Sequence, residues 1–290
     1  MTSNAGLNLR AALVSLVILV LLLGAWHLAT LPSAAAAGSA RLSPQEIEYQ
    51  KLLGKDPAAG PKQNNGFPTL AQMGATVAAN LAHPFYDNGP NDKGIGIQLG
   101  HSLLRVGLGF GLAALIAIPL GFVIGMSPLV QRALDPFIQV LKPISPLAWM
   151  PLALYTIKDS SVSGIFVIFI CSVWPMLLNT AFGVAGVRRE WLNVAKTLEV
   201  TPLRKAFEVI LPAAAPTIVT GMRISMGIAW LVIVAAEMLV GGTGIGYFVW
   251  NEWNNLSLTN VIFAILVIGV VGMVLDMLFA QLQKAVSYVE

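Results

Sequence analysis

Several stretches of twenty or more residues in this 290-residue chain carry almost no charge, and this pattern restricts the fold most. Crossing ~30 Å of hydrocarbon takes ~20 helical residues at 1.5 Å each. Six segments meet that length, approximately Ala11–Leu31, Gly100–Met126, Leu134–Ile157, Ser163–Val187, Ala213–Val240 and Thr259–Ala285. The expected fold class is therefore all-α integral membrane, with about six transmembrane helices. Composition agrees, since 56% of residues are hydrophobic and 11% charged, against roughly 25% charged in soluble domains. The 17 Lys and Arg residues lie along membrane edges and form no single patch, which excludes a nucleic-acid binder. A disulfide-framed secreted domain and a disordered chain are excluded too. The lone cysteine, Cys171, sits in an apolar run and is expected to be a small lipid- or core-facing residue.

Three regions follow from the charge pattern: a first transmembrane helix over 1–31, an external polar insertion over 32–98, and a five-helix core over 99–290. Pro32-Ser33-Ala34-Ala35-Ala36-Ala37-Gly38-Ser39-Ala40 has the small residues of a signal-peptidase site, but the run before it is long enough to span, so it is expected to be retained. Ser43–Leu53 carries a capping-box pattern, with Ser43, Pro44 and Glu46, and is expected to be a short helix. Phe67–Leu81 is expected to be a second. Neither has a core of its own. The connection Arg188–Leu211 holds Arg188, Arg189, Lys196, Arg204 and Lys205, whereas Gly241–Leu258 holds no Lys or Arg. The positive-inside rule puts the first in the cytoplasm and the second outside, so both termini are expected to be cytoplasmic.

Within the spans, Gly107-Leu108-Gly109-Phe110-Gly111 and Gly121-Phe122-Val123-Ile124-Gly125 place small residues four apart, a helix-packing pattern. Pro143, Pro146 and Pro151 interrupt the third segment and free backbone carbonyls, which the bilayer tolerates only against protein or water. Ser145, Pro146 and Trp149 are thus candidates for lining a pathway, a kinked helix between neighbours being the equal alternative. Arg223, Trp230 and Glu237 recur every seven residues and are expected to share one helix face. Charges at such depth usually face protein or water, and the guanidinium of Arg223 presents a rigid fork suited to an anion. Snorkelling or a structural carboxylate pair is the competing explanation for Arg223.

The segment 188–212 is too polar to span and too long for a tight turn, and Leu211-Pro212 is expected to end it and launch the fifth span. Glu190–Leu198 and a stretch starting near Pro202 are expected to be short helices, with apolar Val194, Ala195, Leu198, Leu203, Phe207 and Val209 suited to a partner's groove. Here Asn193-Val194-Ala195, Glu199 and Val209-Ile210-Leu211-Pro212 fall at the spacing of a cytoplasmic Glu-Ala-Ala…Gly…Ile-x-Leu-Pro signature. Asn193 stands for the usual Glu and Glu199 for the usual Gly. In this segment, and in Ser102-Leu103-Leu104-Arg105-Val106, Pro146-Leu147-Ala148-Trp149-Met150-Pro151, Thr220-Gly221-Met222-Arg223, Ala235-Ala236-Glu237 and Gly272-Met273-Val274-Leu275-Asp276, the chain resembles the permease subunits of bacterial ABC importers. The likeness is to the nitrate, sulfonate, taurine and bicarbonate subfamily, nearest to the cyanobacterial nitrate permeases.

The resemblance implies a type I importer permease fold, used as a dimer in the bacterial inner membrane. It further implies a second permease copy, two ATP-binding subunits below and an external substrate-binding protein, with lipid around and no nucleic acid. Coupling to the ATPase would fall to Asn193, Val194, Ala195, Leu198, Glu199, Val209, Leu211 and Pro212. No phosphate-cradling Gly-x-x-x-x-Gly-Lys loop is present, so no cofactor is expected in this chain and ATP-Mg is left to the partner subunits. Gly242-Thr243-Gly244-Ile245-Gly246 is read as a turn. His27, His83 and His101 lack metal-ligand spacing, and no nucleophile–base grouping is recognisable, so the chain is expected to be non-catalytic. The expected cargo is a small inorganic anion, nitrate or nitrite first, bicarbonate next, then taurine or a sulfonate. A gradient-driven transporter is the rival from another class; it calls for intramembrane acidic relays, for which only Glu237 and Asp276 qualify.

Overall fold

The computed structural model describes residues 3–30, 67–89 and 91–287. The expected Ser43–Leu53 helix and the small-residue stretch Pro32–Ala40 lie outside them. Among the described residues the chain is helical, apart from one isolated bridge between Asp87 and Lys93. The helices are α1 (Ser3–Ala29), α2 (Leu70–Ala82), α3 (Ile95–Met126), α4 (Pro128–Leu141), α5 (Met150–Ile157), α6 (Ser160–Ala185), α7 (Arg189–Thr197), α8 (Pro202–Lys205), α9 (Leu211–Val240), α10 (Ile245–Asn254) and α11 (Leu258–Val286). They divide into two compact units.

The smaller unit comprises Met1–Ala82 with Leu256–Phe263. Apolar all round, α1 buries none of its most apolar stretch, which is how a lipid-facing helix behaves. Its end is tied to the start of α2, where the Trp26 indole donates to Pro68 O at 2.9 Å and stacks at a tilt on Phe67. Asn80 of α2 donates to Asn260 Oδ1 at 3.2 Å.

In the larger unit, His83–Asn255 with Ala264–Glu290, α6 is the central element and packs against α3 on one side and α9 on the other. Its buried face carries Val167, Ile168, Met176 and Leu177, and Cys171 is buried among them, so the cysteine faces the core. Small residues let the backbones approach. A methyl group added at Gly109, Gly121 or Gly125 would stand 2.7, 2.6 or 2.6 Å from a carbonyl oxygen of α6. Gly107 and Gly111 face open space instead. The close contact thus repeats along a different register from the Gly107–Gly111 pair that the spacing suggests.

Among the described residues five helices are long and apolar enough to cross a membrane: α1, α3, α6, the rod ending in α9, and α11. The third expected span, Leu134–Ile157, is not one straight helix. It is broken into Pro128–Leu141 and Pro146–Ile157, bent by 83°, with a 3-10 turn at Pro146–Trp149. Pro143, Pro146 and Pro151 remove three donors within nine residues, so no continuous ladder can form there. Counting that pair as one span gives six.

The region around Pro212 departs from expectation too. Instead of ending one helix and launching another, it lies inside a continuous 39-residue rod, Pro202–Val240. The rod accommodates Pro212 by widening into a π turn at Ala206–Ile210, where Leu211 N–H reaches Ala206 O, five residues back.

If α3 and α6 depend on that close approach, Gly109→Ala and Gly121→Ala should destabilise the protein by about 1–3 kcal/mol, as overpacking does. Gly107→Ala and Gly111→Ala should change stability by less than about 0.5 kcal/mol. Thermal unfolding of the purified variants in detergent measures the contrast.

Candidate functional site

Polar chemistry inside the larger unit is concentrated in three places. The first is a buried cluster where α3, α9 and the loop after α9 meet. Glu237 and Arg105 are joined by a 2.7 Å ion pair, with side chains only 4% and 10% exposed. Both carboxylate oxygens of Glu237 are engaged, as are Nε and Nη1 of Arg105. Arg105 also donates from Nη1 to Thr243 O at 2.6 Å and from Nε to Ser161 Oγ at 2.9 Å. Glu237 accepts the Gly246 N–H at 3.0 Å, and Ser102 Oγ lies 2.8 and 2.9 Å from its two oxygens. Gln98 and Ser102 accept the N–H groups of Gly244 and Ile245 at 2.6 and 2.9 Å.

Local sequence makes this loop possible. Gly241 and Gly242 end α9 with φ of 77° and 93°, a left-handed conformation that glycine adopts without strain. A side chain at Gly244 would strike the Glu237 carboxylate, and one at Gly246 would strike Val234 O. The glycine-rich run is therefore a turn wrapped over a carboxylate.

The second place is a cleft between α9 and α11. Arg223 meets Asp276 fork to fork, Nε to Oδ1 and Nη2 to Oδ2, both at 2.6 Å. Unlike the first pair it is open, with 37% and 55% of the side chains exposed. Gln283 Oε1 accepts from Arg223 at 3.4 Å, and Gln283 donates to Thr220 Oγ1 at 2.9 Å. Two cavities of about 600 and 360 Å³ share Arg223, Gly227, Leu231 and Asp276 in their walls. The pair stands ~18 Å along α9 from Leu211 and ~15 Å from the Val286 end of α11, near the middle of both long helices.

The third is the polar elbow of α7 and α8. Trp191, Val194, Ala195, Leu198, Val200, Arg204, Glu208 and Val209 line a groove of about 520 Å³. Val194, Leu198, Leu203 and Phe207 are exposed apolar side chains on an otherwise charged segment. Ala195, at 3% exposure, is packed beneath them. Asn193 and Glu199 are exposed, Leu211 and Pro212 half-buried, and Glu199 takes a left-handed φ of 48° that ends the turn after α7.

The residues singled out in the sequence are distributed as follows. Arg223 and Trp230 come together in the α9–α11 cleft, where the Trp230 indole donates to Ile268 O at 3.0 Å. Glu237, on the same heptad, is taken into the cluster with Arg105. Ser145 is exposed, Pro146 and Trp149 are half-buried in the turn that packs on α6 and α9, and among the described residues the Trp149 indole N–H has no hydrogen-bond partner. Sequence reasoning missed Arg105 as the partner of Glu237 and Asp276 as the partner of Arg223. The available signal was that isolated charges of opposite sign inside separate spans need one another. Among the described residues no group of three His, Cys, Asp or Glu side chains is arranged to hold a metal ion.

Residues 117–288 match the family described as binding-protein-dependent transport system inner membrane component. A nitrate import permease protein of Synechocystis sp. is 43% identical over 224 residues, covering 77% of this chain and 82% of the relative. A bicarbonate transport system permease protein of the same organism is 44% identical over 208 residues, 71% of this chain and 74% of the relative. The taurine transport system permease protein of Escherichia coli is 32% identical over 190 residues, 66% and 69% of the two chains. Among solved structures, an inward-facing conformation of the MetNI methionine ABC transporter superposes with a TM-score of 0.59 at 12% identity. That match covers 66% of this chain and 95% of the other, and it shows a shared fold.

Removing one partner of a saturated buried pair strands the other charge. Arg105→Met or Glu237→Leu alone should therefore cost about 3–5 kcal/mol. The double variant should lose less than the sum of the two, because no uncompensated charge remains. A double-mutant cycle on thermal stability in detergent reads the coupling; additive losses would contradict it.

Proposed function

Since the chain belongs to the family of binding-protein-dependent transport system inner membrane components, we propose that it forms the membrane pathway of an ATP-driven importer for nitrate or nitrite. As a family member it is a multi-pass permease component and not an enzyme. The observation that carries the cargo assignment is Arg223, a permanent cation half-exposed in a cleft near mid-span and backed by relatives named for nitrate import. A half-exposed charge at that depth is costly against lipid, so the cleft faces water or protein. Bicarbonate is the second reading, supported by an equally similar relative named for bicarbonate transport; taurine or a sulfonate comes third.

The partner set is part of the proposal: a second copy of the chain, two cytoplasmic ATP-binding subunits that hold ATP-Mg, and an external binding protein that delivers the anion. The five basic residues of the elbow support a cytoplasmic position for it, with both termini on that side and the polar insertion outside. The elbow supports a docking role because it exposes apolar side chains beside a groove, where a partner's surface gains by covering them. ATP-driven movement of the ATPases would then reach the pathway through the continuous rod from Pro202 to Val240.

Reconstitution with the ATPase and binding-protein subunits tests the whole reading. Nitrate should stimulate ATP hydrolysis and enter the vesicles; stimulation by bicarbonate alone would select the second cargo. Uptake at full rate without ATPase subunits would establish a gradient-driven transporter instead. Leu198, at 70% exposure, should be a docking residue, whereas Ala195 holds the elbow together. Covering one leucine contributes about 1.5–3 kcal/mol, so Leu198→Glu should weaken coupling by roughly tenfold or more. Its abundance in the membrane should stay normal, whereas Ala195→Glu should lose folded protein. Nitrate-stimulated ATPase activity set against membrane abundance separates the two effects.

A further inference from the structure

Two intramembrane ion pairs in one unit have opposite surroundings, and the contrast bears on how the open one works. Both Glu237 oxygens and the Nε and Nη1 of Arg105 are engaged, and the pair has almost no exposure. Arg223 and Asp276 face cavities of about 600 and 360 Å³, and among the described residues Gln283, at 3.4 Å from Arg223, is the one further side chain hydrogen-bonded to the pair. A buried pair is expensive to separate, whereas an exposed one contributes little and opens readily. Asp276 also engages Arg223 in a particular way. Its two oxygens meet Nε and Nη2 in parallel at 2.6 Å each, the side-on fork that a guanidinium offers to a planar anion.

We propose that Asp276 is a built-in placeholder for the transported anion: its carboxylate occupies the Arg223 fork when the pathway is empty and yields it to a planar oxyanion of the same shape. The proposal rests on the reading of Arg223 as an anion contact and adds a residue and a selectivity rule to it. Nitrate and bicarbonate each present two coplanar oxygens as a carboxylate does, so either replaces Asp276 atom for atom. A sulfonate or sulfate also lays two oxygens across the fork, whereas a monatomic anion such as chloride cannot bridge Nε and Nη2. The exchange also limits retention. With Asp276 tethered beside the site on α11, the guanidinium is never left without a counter-ion when the anion leaves, and the returning carboxylate speeds release. Gly227 and Gly272 keep the walls of the cleft low beside the pair, and the Trp230 ring packs against Gly272.

No covalent change is involved; the step is one ligand exchange at a guanidinium. Because the placeholder closes the site for most of the time, the apparent affinity for the anion is lowered by the fraction of time it is open. Asp276→Asn, which keeps the shape but not the charge, removes that competition. Isothermal titration calorimetry on the full-length chain in lipid nanodiscs, with sodium nitrate as ligand, should show binding roughly tenfold or more tighter than wild type. Nitrate uptake per molecule should fall in the same variant because release slows. Chloride, which cannot bridge the fork, should gain far less affinity than nitrate.

Unchanged nitrate affinity in Asp276→Asn, with binding still lost in Arg223→Ala, would overturn the placeholder and leave the pathway reading standing. Unchanged binding and uptake in a well-assembled Arg223→Ala would overturn both. The wild-type protein supplies a second measurement that does not depend on the variants folding. Nitrate, but not chloride, should raise the labelling of Asp276 by a carbodiimide and amine, read by mass spectrometry, because the anion frees the carboxylate. Labelling that is insensitive to nitrate would overturn the proposal.

Discussion

The ion pair between Arg105 and Glu237 is the constraint around which the larger unit is arranged. Two charges taken out of water are tolerable only when each finds its opposite and every remaining donor and acceptor is used. Meeting that condition takes groups from four places: Gln98, Ser102 and Arg105 on α3, Ser161 on α6, Glu237 on α9, and the backbone from Thr243 to Gly246. A shift of α3 against α9 by one residue would part Arg105 from Glu237 and free the backbone donors that Gln98 and Ser102 accept. The pair therefore fixes the register of α3 against α9 and pins the loop that turns α9 into α10, while nonpolar packing along α6 supplies the bulk of the contact.

From that pinned end the rod runs through the molecule to the elbow. Its length alone does not make it stiff; packing does. Ala214, Ala229 and Ala236 are fully or almost fully buried, and Gly221 brings its backbone against Asn179 and Pro175 O of α6. Ser225 adds a hydrogen bond to Ser172 O at 2.7 Å. Such close backbone contact is the main source of helix association where lipid competes equally for apolar surface. The π turn at Ala206–Ile210 is the place where the rod is least regular, and it lies between the elbow and the packed part. Under the proposed coupling, motion at the elbow would be delivered to this closely packed part of the rod, which carries Arg223.

Legibility in the sequence followed physical scale. Charge-free length identified the long helices, because hydrocarbon thickness sets a minimum that few soluble segments reach. Pro143, Pro146 and Pro151 announced an irregular third segment, but not that it would fold back through 83°, since proline forbids a ladder without choosing the alternative path. Pro212 misled for a related reason: a proline boundary was expected, yet a one-residue widening of the helix absorbed it. Val194 and Leu198 were recognisable as a partner-facing stripe from their polar neighbours, whereas the burial of Ala195 in the same stripe was not, because a nine-residue helix has no core and its inner face is chosen by what folds over it.

By itself, the sequence determined that this chain lives in a membrane, crosses it with helices, presents a basic elbow on one side and carries a few charges too deep for lipid. These are properties of windows of ten to thirty residues, set by hydrophobic length and local backbone chemistry. Only the tertiary structure decided which charges meet. Arg105 and Glu237 are 132 residues apart and Arg223 and Asp276 are 53 apart, and many pairings satisfy the same composition. Which partner a buried ion takes, and whether the pair is sealed or left open to a cleft, depends on how helices cross, and crossing is settled by long-range packing that no local window contains.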